Sequence, residues 1–224
     1  MPQASLIIPV FRDTAEVSKL LGTLVPDSRV EIIIVDGDCD LTLDTLAASR
    51  SDVKLLRTSP GRGRQMNVGG TSATGNWLLF LHADCRLPHK WLTAIASAGQ
   101  NPATVGGWFQ FQLDTQVWQA RILESFVALR IKIWHLPYGD QGIFVRRMVF
   151  KKMGGFREWP LMEDVDFVRR LQKKGKVCPS ALPVVTSARR WERDGWVNRS
   201  ARNLILISLY FLGVSPTHLA KWYR

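Results

Sequence analysis

Two acidic turns in the first half of the chain follow directly on apolar runs. Asp36-Gly37-Asp38-Cys39-Asp40 comes after Ile32-Ile33-Ile34-Val35, and His82-Ala83-Asp84 comes after Trp77-Leu78-Leu79-Phe80-Leu81. An ionised carboxylate has only acceptor sites, so the first turn suits the donor groups of a nucleobase or a ribose. The second suits a hydrated divalent cation, because Mg²⁺ takes one or two carboxylates, keeps several waters and shares substrate phosphates. His82 lies two residues before Asp84 and so on the same side of an extended chain. The first turn also opens like a calcium loop. An EF-hand, however, would need glycine where Leu41 stands and glutamate where Ala47 stands.

Gly61-Arg62-Gly63-Arg64 sets two cations in a flexible turn ahead of a helical stretch. A phosphate would meet both guanidinium groups and a helix N-terminus there. No Gly-Lys-Ser/Thr follows, which excludes a Walker loop. Further on, Gly154-Gly155-Phe156 leads through Leu161-Met162 to Glu163-Asp164. These two carboxylates stand at the start of a helix, where the dipole favours anions. The apolar pair before them implies partial burial, which raises a carboxylate pKa toward that of a useful general base. Asp166, one turn on, reads as structural.

The elements that must position these groups follow from periodicity. Residues 77–81 are uncharged and apolar, the pattern of a strand buried on both faces of a parallel sheet. Ligands of such sheets bind beyond the carboxyl ends of the strands, which is where Asp36 and Asp84 fall. Strands are expected at 5–10, 31–35, 53–57 and 77–81, with helices at 14–24, 41–49, 65–74 and 90–99. That alternation argues for a parallel sheet with crossover helices. Beyond it the pattern loosens: a strand at 105–113, a long amphipathic helix at 117–136 and a short strand at 142–145. A helical turn at 149–153, a helix at 163–174, a strand at 182–186 and a helix at 196–212 complete the chain. There is no internal repeat.

With 224 residues and no stretch of linker composition, the chain reads as one domain with one substantial core. Three cysteines, odd in number and without a CxxC pair, fit reduced thiols in a cytosolic protein. The chain enters a strand almost at once, so no signal peptide is expected. Residues 1–145 hold 13 Lys and Arg against 13 Asp and Glu. Residues 146–224 hold 17 against 6, so the whole formal charge of +11 lies there. Nucleic acid, an anionic lipid surface or an anionic small substrate would each account for it. The apolar run 204–214 is too short to span a bilayer. It reads as a helix packed on the domain or as an interfacial anchor beside basic residues.

Taken together, the motifs resemble those of the family 2 glycosyltransferases, which use the GT-A fold. The resemblance runs from Ser5 to about Trp191. The family's opening strand matches Ser5-Leu-Ile-Ile-Pro9-Val10, its base-contacting Asp matches Asp36, and its Asn-x-Gly helix matches Asn67-Val68-Gly69. Its Asp-x-Asp metal motif matches His82-Ala83-Asp84, and its Glu-Asp after Gly-Gly-Phe matches Glu163-Asp164. The chain departs from the pattern in His82 for the first Asp and in Arg12-Asp13 where many members have Asn-Glu. Ser187-Ala-Arg-Arg-Trp191 lacks the Gln of the processive Gln-x-x-Arg-Trp motif, which argues against a polymerising enzyme. Phe80-Leu-His-Ala-Asp84 with Ala188-Arg-Arg-Trp-Glu192 is similar to small stand-alone bacterial members.

The resemblance implies an α/β chain with a Rossmann-like, mostly parallel central sheet flanked by helices and a helical C-terminal extension. It implies a single GT-A domain over 1–224, with a nucleotide half at 1–100, an acceptor and catalytic half at 101–195 and a helical segment at 196–224. The reaction implied is inverting transfer of a sugar from a nucleotide diphosphate-sugar to an unidentified acceptor hydroxyl. Pro9, Val10, Asp36, Arg62, Arg64 and Asn67 would serve the nucleotide. Asp84, with His82, would serve Mg²⁺ or Mn²⁺. Asp164 would be the base, with Glu163 shaping its surroundings. Asp140 and Gln141, in the turn Gly139-Asp140-Gln141-Gly142, would line the sugar or acceptor pocket together with Arg189, Arg190 and Trp191. The expected setting is cytosolic, peripheral to the inner face of the plasma membrane, with no nucleic-acid partner. Two alternatives stay open. A nucleotidyltransferase would show a glycine-rich basic loop after the first strand, where Pro9-Val-Phe-Arg-Asp13 stands. A nucleic-acid-binding module would show a recognised motif beside the basic charge.

Overall fold

The computed structural model describes residues 2–223. The first hundred residues alternate as their periodicity demands: β1 (Ala4–Val10), α1 (Thr14–Thr23), β2 (Val30–Asp36), α2 (Thr42–Ala48), β3 (Val53–Arg57), α3 (Arg62–Ser72), β4 (Trp77–Phe80), β5 (Cys85–Arg86) and α4 (Trp91–Gly99). β3, β2, β1 and β4 lie side by side in that order, every neighbouring pair parallel. Leu6 and Ile8 of β1 face one core with Val17 and Leu20 of α1 and Ile95 of α4. Ile7 faces the other with Met66 of α3. Helices thus cover both faces, which is why the strand sequences are continuously apolar instead of alternating. α3 lies so close to the sheet that a Cβ on Gly69 would stand 2.4 Å from Cγ2 of Ile7.

The second half supplies β6 (Thr104–Gly107), β7 (Gln110–Leu113), α5 (Trp118–Trp134), a 3-10 turn at Gly139–Gln141, β8 (Ile143–Arg146), α6 (Arg147–Met153), α7 (Glu163–Gln172), β9 (Lys176–Val177), β10 (Pro183–Thr186), α8 (Arg189–Asp194), α9 (Trp196–Phe211) and α10 (Pro216–Tyr223). β8 pairs antiparallel with both β4 and β6, and β9 closes the seven-stranded sheet. A second, three-stranded sheet joins β5, β10 and β7. It carries the chain after β10 to Asp84, whose carbonyl accepts the N–H of Ser187 at 3.0 Å. α7 is held against β4 by an aromatic cluster. Phe156 and Phe167 stack at 4.0 Å, and Phe80 meets Phe156 edge-on at 4.8 Å. Each such pair contributes about 0.5–1.5 kcal/mol beyond its burial.

Several boundaries differ from expectation for identifiable reasons. The strand expected over 105–113 breaks at Trp108-Phe109, both fully buried. The Phe109 N–H turns to the Gln141 carbonyl and the Gln110 N–H to the Leu182 carbonyl, so the chain passes from one sheet to the other. α3 starts at Arg62, not Gln65, so Arg62 and Arg64 lie in a helical first turn and not in a loop. α5 falls within the expected 117–136 span, yet of its residues only Ala120 and Val127 are buried. The run 204–214 divides: Leu206 and Ile207 pack with Leu136, Met162 and Leu219, while Leu204 and Leu212 stay exposed. No helix among the described residues is long and apolar enough to cross a membrane.

Candidate active site

The site begins where α7 begins. Met162, just before the helix, takes the left-handed conformation at φ +65°, a strained choice for a residue with a side chain. Strain of this kind persists only where packing enforces it, and Met162 is buried here. Glu163 is 1% exposed, and its Oε1 accepts from Nη1 of Arg62 at 3.1 Å. Burial pushes the Glu163 carboxyl up; Arg62 opposes that and the neighbouring Asp164 adds to it. Asp164 is more accessible. Its Oδ2 accepts the Gly139 N–H at 2.6 Å and its Oδ1 the Val165 N–H at 2.8 Å. A Cβ on Gly139 would stand 2.8 Å from Nε2 of His82 and 3.3 Å from Oδ2 of Asp164. Only glycine lets the 139–141 turn lie against both, and this packing brings the end of β4 to the start of α7.

Asp84 faces the same space from the other side. Its side chain is 7% exposed, with Nη2 of Arg189 and Nη2 of Arg190 each 3.6 Å from Oδ2. Arg189 also grips both oxygens of Asp13, at 3.0 Å on one of them, which ties α8 to the head of α1. Nε2 of His82 is buried without a hydrogen-bond partner. Burial, then the charges of Arg62 and Arg190, push the imidazole well below its ordinary pKa, so it is neutral at physiological pH. Asp140 is raised to about 6, first by burial and then by Asp164 and Asp84, with Arg130 and Arg190 opposing. Cys85 beside it is a buried thiol bonded to Thr186 and raised well above its usual pKa by burial, and so is inert.

Among the described residues no three His, Cys, Asp or Glu converge closely enough to hold a metal ion by themselves. One carboxylate, Asp84, and one unpartnered neutral imidazole, His82, do line the same cavity. Such a donor set fits a Mg²⁺- or Mn²⁺-type ion that takes its remaining ligands from water and a diphosphate.

The other residues expected at the nucleotide, sugar or acceptor sites make the following contacts within the chain. Both oxygens of buried Asp36 accept backbone N–H groups, from Asp38 and Asp40, each at 2.8 Å. Asp36 thereby shapes the 36–40 turn. Asn67 clasps the backbone of Phe156, donating to its carbonyl at 2.9 Å and accepting its N–H at 2.7 Å. It pins the Gly-Gly-Phe loop to α3. Arg64 holds Glu158 at 2.8 Å and Ser59, and it does not line the cavity; Arg62 does. Gln141 is fully buried, accepting from the Tyr138 N–H and donating to the Phe109 carbonyl. The Val10 carbonyl accepts from Gly37 and from Nε2 of Gln65. Pro9 is half-buried, pairing with Val35 in β2. Trp191 is buried against Phe111, with one edge on the cavity.

Sequence reasoning passed over Gln65, which also donates to the Val35 carbonyl and so fastens the ends of β1 and β2 together. It also passed over Arg130, whose guanidinium lies 3.6 Å from the Tyr138 ring centroid beside Asp140. Neither carries a local signal. The cavity itself, about 710 Å³, is lined by Arg62, His82, Asp84, Asp140, Glu163 and Asp164 among others. Its volume is that of a small-molecule site.

An uncharacterized glycosyltransferase of Haemophilus influenzae is 30% identical over 188 residues, which is 78% of this chain and 64% of the relative. An uncharacterized protein of Mycobacterium tuberculosis is 28% identical over 217 residues, 84% of this chain and 67% of the relative. The chain thus spans about two thirds of the length of these relatives. A mannosyltransferase from Pyrobaculum calidifontis, solved with GDP-Man and Mn²⁺, superposes with a TM-score of 0.68 at 17% identity, covering 99% of this chain and 69% of its own. S. aureus TarS 1-349 with UDP-GlcNAc gives 0.67 at 18%, covering 84% and 58%. At these identities the likeness is one of fold, and the fold is GT-A. The description "Glycosyl transferase family 2" matches residues 5–154, the span that carries both acidic turns and the helix between them, and the chain belongs to that family.

Proposed function

We propose that this chain transfers a sugar from a nucleotide diphosphate-sugar to an acceptor hydroxyl, with inversion at the anomeric carbon. The observation that carries the reading is that one cavity holds both Asp84, at a strand end among arginines, and Asp164, at a helix start. Arg62 and Arg190 would bind the diphosphate, and the turn shaped by Asp36 would receive the base. The acceptor oxygen attacks the anomeric carbon while the carbon–oxygen bond to the diphosphate breaks. The nucleoside diphosphate leaves with the bonding pair, and the hydroxyl proton passes to the Asp164 carboxylate. A single displacement of this kind reverses the anomeric configuration. Gly139 fixes the base by its N–H, and Glu163 holds Arg62 in place. Asp84 would hold a divalent ion, with His82 orienting its surroundings, and the ion when bound would neutralise charge on the leaving diphosphate. Structural neighbours bound to UDP-GlcNAc, and to GDP-Man with Mn²⁺, support both the donor class and the ion.

The direct test is a panel of nucleotide-sugars assayed for release of nucleoside diphosphate, with and without EDTA, and NMR of the freshly released sugar. One donor should be cleaved in an EDTA-sensitive way to the inverted anomer. No cleavage above background across the panel would refute the reading, and pyrophosphate release from a nucleoside triphosphate would favour a nucleotidyltransferase. We also propose that the protein works on the cytosolic side of a membrane, with its basic C-terminal third on anionic headgroups. Each Lys or Arg near such a surface contributes about 1 kcal/mol, screened by salt. Cosedimentation with anionic vesicles should appear at low salt and weaken at high salt; none at low salt removes this part.

A further inference from the structure

The cavity that holds Asp164 is also lined by α5 and α9, each of which presents an apolar stripe to it. On α5, Ile122, Phe126, Leu129 and Ile133 recur at four, three and four residues, the spacing of one helix face. All four line the cavity and all are exposed, Phe126 by 65%. On α9, Val197, Ala201 and Leu204 form the matching stripe. α5 packs on β7, and α9 on α8 and α10; Leu123 of α5 and Trp196 of α9 share one apolar cluster, while the stripe residues beyond it stay exposed. Arg62, Arg130 and Arg190 stand among the carboxylates; the rest of the α5 and α9 lining is mainly apolar, with Gln119, Arg199, Ser200 and Asn203 the polar members and Arg199 taken up by Asp194. A bare apolar face would fit a second copy of the chain equally well. A cavity that holds the base among charged groups and is otherwise mainly apolar fits a molecule with a polar and an apolar part.

We infer that the acceptor is an amphiphile, with its hydroxyl at Asp164 and an alkyl or isoprenoid body between α5 and α9. This rests on the transferase reading. The probes are hexyl, heptyl and octyl β-glucosides, titrated calorimetrically below their micellar concentrations into the full chain. Each added CH₂ should tighten binding about fourfold. Phe126→Asp and Leu204→Asp alter exposed side chains and open no core void, and circular dichroism checks their fold. Both should flatten the series, whereas Val25→Asp, exposed elsewhere, should keep the wild-type slope. Affinity independent of chain length in the wild type, or a slope unchanged by Phe126→Asp, overturns the inference. So does a dimer that binds no glucoside and that Phe126→Asp dissociates, since a second copy would then cover the face. Nucleotide-sugar hydrolysis is read separately. Hydrolysis without chain-length dependence overturns the amphiphile and leaves the transferase. Chain-length dependence without hydrolysis of any donor overturns the transferase and the acceptor role of the groove with it.

Discussion

Replacing Asp140 by Asn should stabilise the metal-free protein at neutral pH and leave its stability near pH 4 unchanged. The Asp140 carboxyl is raised from 3.8 to about 6, by burial and by the nearby Asp164 and Asp84, with Arg130 and Arg190 compensating only in part. A carboxyl whose folded pKa lies above its unfolded one stays protonated in the fold over a window where the unfolded chain ionises. Folding stability therefore falls as pH rises from about 4 to about 6 and is flat beyond. A rise from 3.8 to about 6 corresponds to about 3 kcal/mol, at about 1.36 kcal/mol for each tenfold change in proton affinity. That is an upper bound for Asp140→Asn, since the buried amide carries a desolvation cost of its own. For a chain of this size, 1 kcal/mol moves the Tm by about 2–4 °C, so the variant should melt as much as ~6–12 °C higher above pH 7. The assay is thermal unfolding of wild type and variant in EDTA at intervals from pH 4 to pH 8. The informative quantity is the difference between the curves, in which shared pH effects, including that of Glu163, cancel. A difference independent of pH, or a variant no more stable than wild type at pH 8, would refute the argument that burial and carboxylate crowding load this turn.

Asp84→Asn should abolish metal-dependent donor cleavage, and near-normal turnover with Mg²⁺ or Mn²⁺ would show that another group holds the ion. His82→Ala should cost about 10–100-fold, the usual effect of a group that orients a ligand; a loss larger than that of Asp84→Asn would make the imidazole itself a ligand. Asp164→Asn should remove transfer while calorimetry still detects donor binding, because the base acts on the acceptor proton. Glu163→Gln should act chiefly on stability, by about 1–3 kcal/mol, through its lost charge-assisted bond to Arg62; a greater loss of turnover than for Asp164→Asn would exchange their roles. Asn67→Ala should lower stability by about 2–3 kcal/mol, since both backbone groups of Phe156 lose their partner; a collapse of donor affinity with the melting point intact would return Asn67 to the nucleotide site.

Periodicity alone determined the β1–β4 half of this protein. Continuous apolar runs bounded by turns leave no other solution than strands covered on both faces, and the acidic residues at their ends fall where such sheets bind ligands. The Glu163-Asp164 pair was legible for a similar reason, standing between an apolar pair and an amphipathic helix. Motif resemblance carried the fold and the family. What each polar side chain faces was decided only in three dimensions. Asp36, Asn67 and Gln141 carry the right chemistry for ligands, yet backbone groups close in space engage them, and hydrogen-bond partners of that kind leave no trace in sequence spacing. The short strands β5 and β9 have too few residues to show a period, although β5 with β10 brings Arg189 and Arg190 to Asp84. α5 shows the limit from the other side. Its sequence fixed the apolar stripe, because 3.6-residue periodicity is local. Whether that stripe meets a core, a neighbour or an open cavity depends on how the second half of the chain folds back, and here it lines the cavity that holds Asp164.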